Sequence, residues 1–89
     1  MFRVTLACAN VPVSAGAAAA TAIQQEFVEY RTHHQNAACT YTNGELVLTA
    51  ENDFDPKGLA LMDEFSDCIS AYIAELFDGE IRVVEAVTF

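Results

Sequence analysis

An α+β fold with the element order β-α-β-β-α-β is predicted for this chain, on three observations. A strand–helix–strand pattern occurs twice, at an offset of about 42 residues. Val4-Thr5-Leu6 aligns with Leu46-Val47-Leu48, Gly16 with Gly58, Ile23 with Phe65, Phe27 with Ile69, and Tyr30 with Tyr72. An Asn43-Gly44 turn joins two alternating segments at the middle of the chain. The 89 residues, 53% of them hydrophobic, suffice for one core and are too few for two, so the chain reads as a single domain over 1–89.

Each element has its own warrant. Phe2 to Ala9 alternates Phe2, Val4, Leu6 and Cys8 with Arg3, Thr5, Ala7 and Ala9, the period of a strand. Asn10 and Pro12 punctuate it, and Ser14 is the expected N-cap of a helix running to about Arg31. That helix places Ala20, Ile23, Phe27 and Tyr30 along one stripe. Ala37 to Thr42 and Glu45 to Ala50 form the hairpin around Asn43-Gly44, where a type I′ turn needs positive φ twice. Asp55-Pro56 is expected to open the second helix, with Asp as cap and Pro at the first helical position. Its buried stripe is Leu61, Phe65, Ile69, Tyr72 or Ile73, and Leu76, and Asp78-Gly79 ends it. Ile81 to Phe89, rich in β-branched residues, is the last strand. This is the ferredoxin-like plait: four antiparallel strands under two helices, with the first and third strands in the middle.

With Val4, Leu6, Leu46, Leu48, Ile81 and Val83 turned to the helices, the other sheet face shows Thr5, Ala7, Ala9, Val47, Thr49, Val84, Ala86 and Thr88. A solvated face normally carries many charges, and this one offers only Arg3, Arg82 and Glu51. Thr5, Ala7, Val47, Thr49, Val84 and Ala86 are therefore the expected interface of a homodimer packed sheet to sheet. A mean hydropathy of +0.22 in so short a chain also favours an oligomer.

Charge is divided unequally. Residues 1–44 balance two arginines against two glutamates, whereas residues 45–89 set Lys57 and Arg82 against eleven acids, so the second half carries the whole net charge of −9. Such a surface repels phosphate backbones and anionic lipid, which argues against direct nucleic-acid or membrane binding. Asp63, Glu64 and Asp67 lie one turn apart on the second helix and are the expected docking patch for a basic protein.

Chemistry-bearing motifs are weak. Cys8, Cys39 and Cys68 are widely separated and lack a CxxC, which reads as reduced thiols and a cytoplasmic setting. Val4 to Ala9 is too short for a signal-peptide core and is interrupted by Asn10 and Pro12. Asp53 to Glu64 places acids at calcium-loop positions one, three and twelve, but Lys57 and Leu61 occupy two others and a strand precedes it. His33, His34 and Cys39 are the one group of soft ligands, and a structural zinc lacks an evident fourth ligand. Cys8 faces the core, so a Cys8–His33 nucleophile pair is not favoured, and neither Gly16 nor Gly58 belongs to a phosphate-binding loop. Tyr30 and Tyr72 are expected as core residues. No catalytic residue, metal or cofactor is assigned. The expected function is a small, acidic, non-enzymatic interaction or regulatory module. Two alternatives stand beside it. One is a dimeric enzyme or small-molecule sensor that binds an anionic group through Arg3, Arg82, Thr5 and Thr49. The other is an acidic decoy that inhibits a basic partner.

Overall fold

A computed structural model describes residues 1–89. Its elements are β1 (Phe2–Cys8), α1 (Val13–Tyr30), β2 (Gln35–Thr42), β3 (Glu45–Asn52), α2 (Leu59–Tyr72) and β4 (Ile81–Thr88). The strands form one antiparallel sheet in the order β2-β3-β1-β4, so β1 and β3 are central, as the ferredoxin-like plait requires. At the β2–β3 turn Asn43 and Gly44 both take positive φ, 52° and 78°, the twist that joins two right-handed strands.

The core follows from the two periodicities. Val4, Leu6, Cys8, Leu46, Leu48 and Ala50 point inward from the central strands, and all are buried. Ala19, Ala20, Ile23 and Phe27 of α1, with Leu61, Phe65, Cys68 and Ile69 of α2, close over them. Phe27 and Phe65 are fully buried, and each contributes roughly 1.5–3 kcal/mol of apolar transfer. Close approach is built in at Gly16, where any Cβ would overlap the Tyr41 ring, whose hydroxyl donates to the Val11 carbonyl at 3.0 Å.

Several boundaries differ from the sequence reading. α1 begins at Val13, directly after Pro12, and the Ser14 hydroxyl donates to Glu75 rather than capping the helix. β2 begins two residues earlier than expected, at Gln35. α2 begins at Leu59 because Gly58, with φ +75°, breaks the helix that Pro56 was expected to start. The Asp55 carboxylate caps it nonetheless, accepting from the Leu59 and Leu61 amides at 3.0 and 3.1 Å. These two bonds also occupy the carboxylate that a calcium loop needs as its position-three ligand.

α2 ends at Tyr72, not near Gly79, so the stripe stops at Ile73 and Leu76 is fully exposed. Tyr30 and Tyr72 are exposed, too, and Tyr72 donates its hydroxyl to Glu26. With the helix short, neither helix roofs β4. Val83 faces the helix side and remains 42% exposed. No helix is long and apolar enough to cross a membrane.

Candidate functional site

Two regions merit a functional reading, the outer face of the sheet and a cluster of titratable side chains at the end of α1. On the outer face, Thr5 pairs with Thr49 across β1 and β3, their hydroxyls 3.0 Å apart, and Ala7 pairs with Val47. The expected residues of β4 do not all join them. Between Thr5↔Glu85 and Leu6↔Val83 the register slips by one, and Val84 is the extra residue of this β-bulge. Alternation reverses there, so Ala86 lies opposite Val4 on the helix side, Thr88 opposite Phe2, and Glu85 takes the outer position. Ala86 therefore leaves the expected interface. A bulge cannot be read from hydrophobic alternation, which assumes an unbroken period of two.

Both ends of this face are tied by ion pairs. Arg82 reaches across β1 to Glu45 with bonds of 2.5 and 3.2 Å, and Ala7 beneath that span is 1% exposed. Arg3 holds Glu51 at 2.9 Å and lies under the Phe89 ring, while Asn36 donates to the second Glu51 oxygen at 2.7 Å. Hydrogen bonds from Asn36 and Arg3 hold the Glu51 carboxyl below its ordinary value, and the Arg82 hydrogen bond does the same for Glu45. The two guanidiniums are thus engaged by glutamates. The four cavities, of about 210 to 410 Å³, lie along the helices and their loops, and none is lined by Arg3, Thr5, Thr49 or Arg82.

The second region gathers residues that are remote in sequence. After α1 the turn through Arg31 to His34 enters β2, and the His34 ring is fully buried between Phe27 and Phe54, at centroid distances of 5.6 and 5.9 Å. Glu64, on the α2 surface beside buried Phe65, meets it there. His33 Nε2 lies 2.7 Å from Glu64 Oε1, and His34 Nε2 bonds the other oxygen. Arg31 Nη1 adds a third contact at 3.4 Å. Burial pushes the Glu64 carboxyl up, but the hydrogen bonds to His34 and His33 outweigh it and hold it below the ordinary value.

Behind His34 sits Asn52. Strand alternation turns Asn52 inward with Leu46, Leu48 and Ala50, so a buried polar group there requires partners. Its Oδ1 accepts from the Phe54 and Asp55 amides at 3.1 and 2.8 Å, which directs Nδ2 at His34 Nδ1, 3.1 Å away. His34 Nδ1 is therefore the acceptor, and Nε2–H is the donor to Glu64.

This cluster changes the expected docking patch. Asp63 and Asp67 are exposed on α2, but Glu64 is turned to Arg31, His33 and His34 and is not free for a partner. Cys39 does not join the histidines. It is buried under α1, where its amide donates to Gln24, and burial pushes its thiol up to about 12. Burial also raises Cys8 and Cys68, so all three thiols lack the character of nucleophiles. A ring nitrogen of His33, one of His34 and a Glu64 oxygen lie within 4.8 Å of one another, the one group able to hold a metal ion. Their convergence was not legible in sequence, since Glu64 is about 30 residues from either histidine. No protein-family model, curated protein or solved structure matches this chain.

Proposed function

We propose that this protein is a small non-enzymatic interaction module that self-associates through the outer sheet face and presents its remaining acidic surface to a basic partner. The distribution of charge supports this reading. The outer face carries two of the chain's four cations, Arg3 and Arg82, against Glu45, Glu51 and Glu85, so it is nearly neutral in a molecule of net charge −9. Both arginines are paired with glutamates, and the middle of the face is Thr5, Val47 and Thr49. Two copies meet there with the least repulsion and without stripping water from an unpaired arginine. Val84, at the bulge, and Phe89 add apolar area at its margin, being 56% and 58% exposed. Asp63 and Asp67 face outward from α2 and suit a basic protein. Three free, buried cysteines fit a cytoplasmic setting.

Light scattering at micromolar concentration tests the self-association. The expected result is a dimer that Val47→Lys returns to monomer while its circular dichroism is unchanged. A wild-type monomer, or a dimer indifferent to Val47→Lys, overturns the reading. Rising salt is expected to strengthen the dimer, because screening removes the repulsion between two acidic molecules.

A further inference from the structure

Independently of self-association, we propose that His33, His34 and Glu64 form a binding site for one divalent transition-metal ion of the zinc type, with a coordination position open to solvent. The donor set is the first reason. Two imidazoles and one carboxylate suit a borderline cation, whereas calcium and magnesium prefer oxygen ligands throughout. Three protein ligands rather than four describe an open site, so the fourth ligand that the sequence lacks is supplied by water or an exogenous group.

Geometry is the second reason. Both Nε2 atoms already converge on one carboxylate, and the ligand atoms lie within 4.8 Å. Tetrahedral bonds of about 2.0–2.2 Å set neighbouring ligand atoms roughly 3.3–3.5 Å apart. The His33–Glu64 separation of 2.7 Å therefore needs to widen only by a side-chain adjustment. Support and access are also divided between the histidines. The His34 ring is held between Phe27 and Phe54, while the His33 side chain is 48% exposed and leaves a path for the ion.

Two groups oppose the cation, and they set its affinity. Arg31 lies 3.4 Å from Glu64, but it has Glu26 at 3.5 Å as an alternative and rests on the Phe27 ring, so it can give Glu64 up. His34 presents the stricter cost. Ligation through Nε2 moves its proton to Nδ1, where it meets the Asn52 amino group. Asn52 must then turn its amide, which releases the Phe54 and Asp55 N–H groups from Oδ1. Binding is therefore coupled to the loop after β3, and the amides of Phe54 and Asp55 report it.

Calorimetric titration of the metal-free chain with zinc chloride, paired with amide and imidazole nitrogen NMR, is the test. One zinc per chain is expected, with the Nε2 resonances of both histidines shifting and the Phe54 and Asp55 amide signals moving in step. His33→Ala and Glu64→Gln are each expected to weaken binding by at least about tenfold, the loss produced even by removing an outer partner of a ligand. His33 is half exposed, so His33→Ala is the variant whose fold is least at risk; circular dichroism checks it. Absence of saturable uptake by the wild type overturns the proposal. So does uptake that both variants leave undiminished, which assigns the ion to other acidic groups. Unmoved Phe54 and Asp55 amides remove His34 from the ligand set and overturn the three-ligand site.

Discussion

Glu51 and Asn52 are consecutive residues with opposite tasks, because a strand sends neighbours to opposite faces. Glu51 lies on the outer face, held by Asn36 and Arg3, while Asn52 turns inward to fix His34. Glu51 and Glu45 both have carboxyl values depressed below the ordinary 4.5. The linkage has a definite sign. A carboxyl depressed in the folded state stabilises it above the unfolded value and loses that contribution as pH falls through the lower folded value. Acidification below about 4.5 is therefore expected to lower the urea midpoint. Replacing both residues with glutamine should shrink the difference in midpoint between neutral and acid pH. An undiminished difference would assign the acid sensitivity to other carboxylates. Of these residues, Asn52 was open to detection in the sequence, since parity alone turns it inward with Leu46 and Leu48. Its partner was not, because nothing local distinguishes buried His34 from exposed His33.

Helix boundaries show where local chemistry and element geometry part company. Asp55-Pro56 was expected as cap and first helical residue, yet α2 starts at Leu59 after left-handed Gly58. Only the capping chemistry carried over, with both Asp55 oxygens taken by the Leu59 and Leu61 amides. Asp55→Ala is expected to cost about 0.5–2 kcal/mol, the range for loss of a helix cap, as measured by urea unfolding. A change within error would show that Gly58 alone starts the helix. In α1, Gly16 permits the Tyr41 ring to lie against the backbone. Gly16→Ala is expected to destabilise by roughly 1–3 kcal/mol, as overpacking does, despite alanine's better helix propensity. A stabilised variant in thermal melting would mean that Tyr41 moves aside freely. The other helix end failed as a prediction for a different reason. Apolar spacing runs on to Leu76, but the backbone turns extended at Ile73, Phe77 rather than Leu76 packs against the core, and Leu76 is left fully exposed.

At the scale of the molecule, that short second helix leaves most of β4 exposed, with Ile81 at its start packed against the core. An uncovered edge strand is ordinarily a hazard, and here the Val84 bulge and the Arg82 and Glu85 charges interrupt its pairing pattern. The same features disfavour association along that edge, which accords with the sheet face as the proposed contact. Net charge of −9 works against any contact between two copies, which is why the salt dependence of the proposed self-association is informative. The doubled strand–helix–strand pattern sets where the two central strands and the two helices lie. The acidic surface distinguishes the second half from the first, and the His33–His34–Glu64 cluster joins the end of one helix to the face of the other.

From the sequence by itself come the element order, the plait, the central strands, most of the core and the concentration of acid in the second half. These depend on short-range periodicity, turn chemistry and composition, all of which are local properties of the chain. Only the tertiary structure decided that Ala86 lies on the helix side of the sheet, that Tyr30 and Leu76 are exposed, and that Glu64 is bonded to two histidines. Each depends on a register slip, a helix length or a contact across about 30 residues, none of which leaves a periodic trace in the sequence.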